Sequence, residues 1–585
     1  MVQHSYEKVH EGGEQTPFLD STFEPDHPTS PALDTQEEKA ANKFRWKVTI
    51  LMYLIIIAVD LPSVMHHASQ IRIFESIICE QYYRTHDPTK FTQDGTIPEA
   101  MCKIEPVQAE MSSIRGWASF FGHLPGLFLA IPFGMLADRY GRKWIFVMNI
   151  VAMQGKATWQ YVVCAFPHVF SLRMIWFDSI SAFFGGGSMV ATALIFTCMS
   201  DVTPPSAMAS TFFKLGAANM LCFTLAPPLA AFLMKKDPWI PFTVGVLFQA
   251  IAIPIAMALP ETLGAKRPGE PIGPVNPPQA KTPVADMFER RDLRGIGSRV
   301  KNFIMENVRL LSKDWRVLFF TCTYPIRMVT GALDGQFLQY IPQRFHWTIA
   351  QTTYLQSMQA ACGMTTLLLL LPAVSSYLIK KRGWSTNRKD ILIIRYGFFC
   401  YAVGMTIKGF SPVVGLFIFG MVIATTAAGT GAAVRAVLTS WVAQNEVARL
   451  YSALGIVETI GSIMGGPLVS ILYNAGLSAY THGKSEFLLG LPWMIAGTVM
   501  TTLAITTALV RFTNTDEKTA EAEDAHYTQA NDDGFEASDL APTIGLPPLQ
   551  TPTIPLTPLT PYTPHRALHA PRTPRTPYRM SEKYM

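Results

Sequence analysis

The feature that most constrains this chain is the grouping of its apolar residues. They fall into roughly a dozen blocks of about 20 residues with few charges, separated by polar stretches, rather than into amphipathic stripes. A helix of about 20 apolar residues crosses the roughly 30 Å hydrocarbon core of a bilayer. The pattern predicts an all-α polytopic membrane protein with twelve transmembrane helices. The first six run over about 46–67, 113–136, 144–165, 172–199, 209–234 and 241–259. The second six run over about 317–340, 352–379, 391–409, 413–440, 448–474 and 487–510. These define an N-terminal bundle, 44–260, a polar linker, 261–315, and a C-terminal bundle, 316–512.

The flanks read differently. Residues 1–43 are polar and acidic and are expected to be disordered, as is the tail 513–585, which repeats Thr-Pro units from Thr551 onward. Such a tail is a candidate for proline-directed phosphorylation by a kinase or for docking a Pro-binding domain, an inert tail being the alternative. The first apolar run is too long for a signal-peptide core, so no cleavable signal is expected.

The formal net charge of +5 does not point to nucleic acid, because the bases sit in loops beside the apolar blocks. Lys43, Arg45 and Lys47, the hairpin at Arg139–Lys143, the linker, and Lys380–Lys389 all fall on one side if the chain starts in the cytosol. Both termini are then cytosolic, in a plasma or organellar membrane. The segment 70–110 holds more acids than bases and reads as an extracytoplasmic loop. Its two cysteines, Cys79 and Cys102, are either disulfide partners or two free thiols. The other six cysteines lie in apolar blocks and read as small packing residues.

Between the second and third blocks lies Gly134-Met135-Leu136-Ala137-Asp138-Arg139-Tyr140-Gly141-Arg142-Lys143. The glycines permit close packing and a turn, and Asp138 is one carboxylate among Arg139, Arg142 and Lys143. Basic residues alone would serve to set topology. The spacing Gly-x-x-x-Asp-Arg-x-Gly-Arg-Lys, however, resembles the loop between helices 2 and 3 of the major facilitator superfamily. Over about 46–511 the chain looks like fungal metabolite exporters of that superfamily, and is more distantly similar to the proton-coupled folate transporter group. Further support comes from the cysteine-bearing first loop, the Gly185-Gly186-Gly187 run followed by Ser200-Asp201, and Leu259-Pro260-Glu261-Thr262. At helix 5 the chain carries Ala226-Pro227-Pro228-Leu229-Ala230-Ala231, where classical drug–proton antiporters have Gly-Pro-x-x-Gly-Gly. The resemblance implies two pseudo-symmetric bundles, and a role for Asp138 and Arg142 in latching the halves in the outward-facing state. An internal repeat agrees with that architecture: Ala209, Leu215, Gly216, Pro228, Leu229 and Leu233 match Ala448, Leu454, Gly455, Pro467, Leu468 and Leu472.

Ionisable residues inside membrane helices are costly and mark pathways or buried pairs. Asp60, Asp178, Asp334 and Glu458 are candidate proton carriers; the alternative is structural pairing, for instance Glu458 with Arg435 or Asp178 with Arg173. Arg327 shares a helix face with Asp334, and Lys156 and Lys214 are candidates for meeting anionic substrates. His66, His67 and His123 read as interfacial packing or pH sensing, and Trp117, Trp159, Trp176, Tyr340, Trp347 and Trp493 as belt aromatics. No phosphate-cradling loop, metal-ligand set or nucleophile elbow occurs, so neither an enzyme nor a bound cofactor is expected. The expected function is secondary transport of a small organic molecule, driven by an ion gradient, with protons as the expected ion. Export of a secondary metabolite is the first expectation. The alternatives are proton-coupled uptake and a non-transporting sensor that signals through its tail.

Overall fold

The protein is described from a computed structural model that covers residues 31–264 and 314–509, except 94, 205–206, 443–445 and 484, with positions 305, 309, 311 and 312 between them. The expectations for residues 1–30, for most of the linker and for the Thr-Pro tail lie outside the described residues. Among those described, the chain forms helices and turns and no strand.

The helical passages are α1 (Pro31–His86), α2 (Glu105–Tyr140), α3 (Arg142–Ala165), α4 (Leu172–Val202), α5 (Met208–Met234) and α6 (Trp239–Met257). They continue with α7 (315–345), α8 (Ile349–Lys381), α9 (Thr386–Phe410), α10 (Val414–Trp441), α11 (Val447–Thr481) and α12 (Glu486–Leu509). Nine of these are long and apolar enough to cross a membrane, and α2 makes a tenth as a pair of segments bent by 50°. The remaining two, α3 and α7, are diluted by polar residues such as Asn149, Gln154 and Lys156, or Arg327, Asp334 and Gln336.

α1 departs most from expectation. Residues 31–43, expected to be disordered, form its first turns: Pro31 takes the first helical position, and a run of good helix formers follows. At the other end the helix continues to His86, so the expected loop 70–110 shrinks to 87–104. Its polar residues do not need water because they are satisfied internally. Gln70 donates to Gln160 Oε1 (3.0 Å), and the fully buried Glu75 accepts from Lys103 Nζ (2.5 Å) and Gln108 Nε2 (2.6 Å).

The two halves pack by the same scheme. α1 lies on α5 as α7 lies on α11, and α2 meets α11 as α5 meets α8. Exchanging the halves converts each contact into the other, as the repeat between α5 and α11 requires.

The apolar core is asymmetric along the long axis. At the end that carries Cys79 and Cys102, one cluster runs through both halves, from Phe74, Met111 and Val163 to Phe337, Tyr473 and Trp493. At the end that carries the α2–α3 hairpin, each half has its own core: Met52, Phe146 and Leu194 in the first, Phe320, Val437 and Leu503 in the second. Tyr340 and Trp493, expected in the membrane belt, are buried in that shared cluster. Their rings lie 4.5 Å apart, Tyr340 stacks on Phe417 at 5.4 Å, and Trp493 meets Phe417 edge-on at 5.8 Å.

Candidate functional site

The α2–α3 hairpin turns at Gly141, whose φ of +97° suits glycine, and a Cβ there would stand 2.5 Å from Glu261 Oε2. That carboxylate comes from the Leu259–Thr262 segment after α6. It accepts the backbone N–H groups of Arg142 (2.9 Å) and Lys143 (3.2 Å), capping α3, and those of Thr262 and Leu263 (both 3.0 Å). Burial pushes the Glu261 carboxyl up, but these N–H donors outweigh it and hold the group below the usual carboxylate range. The Arg142 side chain is ion-paired with Asp201 at the end of α4. It also donates to the Thr197 carbonyl (2.8 Å) and lies 3.6 Å from Asp138, one turn back. Hairpin, α4 and α6 are thus one charge network inside the first half. Asp138 itself is 68% exposed, and Arg139 and Lys143 lie over the rings of Tyr140 and Trp144. At Gly134 a Cβ would meet nothing within 4 Å, so close packing does not require that glycine in this conformation.

The hydrogen bonds that join the halves gather at the opposite end. Gly116 and Gly466 let α2 and α11 touch: a Cβ on Gly116 would lie 2.7 Å from Ser470, and one on Gly466 2.5 Å from Ser119. Ser112 donates to Ser470 (3.1 Å) and Asn474 to Ser113 (3.0 Å). Arg115 on α2 donates to the Gly335 carbonyl (3.0 Å) and Gln339 (3.3 Å) of α7, and Gln339 to the Gln108 carbonyl (2.6 Å). The turn 99–103 belongs to the same latch. Glu99 accepts the N–H of Ile349 at the start of α8 (2.9 Å), and the Lys103 carbonyl accepts from Gln343 (3.1 Å).

A disulfide joins Cys79 on α1 to Cys102 in that turn, with Cα atoms 5.4 Å apart. It fixes the turn beside Glu75, which binds Lys103. Replacing both cysteines by serine is expected to lower stability by about 3 kcal/mol for a loop of this size, read by thermal unfolding of the purified protein. An unchanged melting temperature would separate the bridge from the latch.

Inside the helices the sequence candidates fall into pairs and singles, each within one half. Glu458 of α11 and Arg435 of α10 are ion-paired. Asp178 is not held by Arg173, which reaches out to Glu110 (2.9 Å); it accepts from Gln160 and lies 3.9 Å from Lys156 of the neighbouring helix α3. Asp334 lies 3.9 Å from Lys408, a lysine buried in α9 that the sequence reading passed over because it stands near a helix end. Asp60 of α1 has the Asn219 amide as its partner (2.7 Å), with no cation at ion-pair distance among the described residues. Asn149 was also missed: its amide donates to the carbonyls of Gly185 (2.5 Å) and Gly187 (2.9 Å), where α4 breaks at Gly186 (φ +79°). Lys408 and Asn149 had only their polarity as a signal. Among the described residues no group of three or more His, Cys, Asp or Glu could hold a metal ion.

Two pseudo-symmetric helical halves of apolar helices, sharing a core at one end and holding separate cores at the other, have the build of a multi-pass membrane transporter. Residues 111–428 match the Major Facilitator Superfamily, and the chain belongs to that family. It is 30% identical to the MFS efflux pump atnC of Emericella nidulans over 85% of this chain and 92% of that one. It is 28% identical to the MFS-type transporter aprT of Aspergillus flavus over 85% and 94%. Among solved structures, the nucleoside transporter NupG shares the fold, with a TM-score of 0.51 and 12% identity over 80% of this chain and 98% of that one.

Proposed function

We propose that the protein exports a small organic metabolite across the plasma membrane by alternating access, in exchange for protons. The observation that carries this is the one-sided closure: a shared core and the cross-half hydrogen bonds at the disulfide end, separate cores at the hairpin end. With the basic hairpin in the cytosol by charge, this is an inward-open conformation ready to load from inside. A disulfide at the other end suits the oxidising exterior. A relative of matching length named as an efflux pump supports the direction. Energy comes from a gradient, not from a reaction on the protein, and Asp60 is the proposed proton site because no cation fixes its charge.

The test is a comparison of cells with and without the gene, measuring intracellular and secreted metabolites. Export predicts that loss of the protein raises the internal level of its substrate and lowers the secreted level. A fall in the internal level would mean uptake. No change in any small molecule, together with a signalling defect on deleting residues after 513, would mean a sensor.

A further inference from the structure

Most of the charged side chains set inside the helices lie near an opposite charge of their own half. Lys408 faces Asp334, Arg435 is ion-paired with Glu458, and Lys156 faces Asp178. Arg115 carries no carboxylate, but its guanidinium is taken up by the Gly335 carbonyl and Gln339 as part of the latch. Arg327 of α7 differs. Among the described residues no carboxylate lies at ion-pair distance from it, and its buried Nε has no acceptor. The guanidinium lies against α10 over Gly431, where a Cβ would stand 2.7 Å from Cζ and Nη2 and 2.9 Å from Nη1. The glycine is what makes room for it. Tyr324, one turn earlier, donates to the Gly431 carbonyl (3.3 Å) and lies under Arg435, so the same α7–α10 contact also holds an aromatic ring.

A guanidinium at this depth without a counter-ion is costly, and a ligand that brings one relieves that cost. Its planar fork matches a carboxylate, as it would another oxyanion, through two parallel charge-assisted hydrogen bonds that a neutral amide does not supply. We propose that Arg327 is the anchor of a substrate site between α7 and α10, and that the exported substrate is an organic anion carrying a carboxylate on an apolar or aromatic body. This deepens the export reading and rests on it. Asp60, on α1, the counterpart of α7 in the first half, supplies the opposite, exchangeable charge.

The test uses the purified full chain and two matched probe pairs, 2-naphthoate with 2-naphthamide and 4-phenylbutyrate with 4-phenylbutyramide. Binding is measured by ligand-induced shifts in thermal unfolding. Wild type is expected to bind at least one carboxylate about tenfold more tightly than its amide. Arg327→Gln should erase that preference, and Arg327→Lys should keep part of it. Equal response to acid and amide in wild type, or no response to either acid, overturns the proposal. So does a preference that survives Arg327→Gln. If Arg327→Gln does not yield a monodisperse protein, Arg327→Lys decides by itself: an undiminished acid preference would count against a bidentate anchor. These outcomes leave the direction of transport to the metabolite comparison, so the two readings fail separately.

Discussion

Arg142→Ala is expected to cost about 3–5 kcal/mol of stability and to remove transport with it. The side chain is nearly buried and holds Asp201 and the Thr197 carbonyl, while its own N–H is capped by Glu261. Removing it takes away a cation that the Asp201 carboxylate pairs with, and it unties α4 from the start of α3. The measurement is the monodisperse fraction and melting temperature in detergent, followed by flux. Asp138→Asn provides the contrast. Its carboxylate is exposed and 3.6 Å from Arg142, a pair worth less than about 1 kcal/mol. Surface level should therefore stay near wild type while the conformational cycle slows. If Arg142→Ala melts like wild type, the hairpin sets topology and little more.

Asp60→Asn is expected to uncouple transport from the proton gradient without preventing exchange. A pH difference of one unit is worth about 1.4 kcal/mol, which supports a tenfold concentration ratio for one-for-one exchange. In proteoliposomes the variant should lose that accumulation, with the ratio falling to about one, while counterflow of labelled against unlabelled substrate continues. The other intramembrane acids are less suited to release a proton in each cycle. Glu458, Asp178 and Asp334 each face a basic side chain. Accumulation that persists in Asp60→Asn would move the proton site to one of those three.

The sequence shows where the helices are far better than where they end. Every apolar block became a helical passage, because about 20 apolar residues have few other ways to satisfy their backbone in a membrane. The C-terminal end of α1 departed from the reading because Gln70, Arg72 and Glu75 look like loop residues by type. They are buried pairs in fact, and pairing depends on neighbours such as Gln160 and Lys103 that are distant in sequence. Trp493 and Tyr340 failed for the same reason: an aromatic residue near a helix end belongs either to the lipid belt or to a core, and only the packing of α7, α9, α10 and α12 decides. The hairpin was legible as a motif, since its glycine and charges stand at fixed spacing. The role of Glu261 was not, because what it binds are backbone N–H groups, which carry no residue identity. Lys408 was hidden by its position three residues before Ser411, whose hydroxyl donates to its carbonyl at the end of α9.

The two ends of the molecule obey different rules of screening. The disulfide end is joined by serine hydroxyls, glutamine amides and main-chain carbonyls, with the partly buried charges of Arg115, Glu99 and Lys103 among them. The hairpin end presents exposed Asp138, with Arg139 and Lys143 over the rings of Tyr140 and Trp144 beside it, open to screening by dissolved ions. Ionic strength is therefore expected to act more on the exposed charges of the hairpin end than on the partly buried ones of the other end.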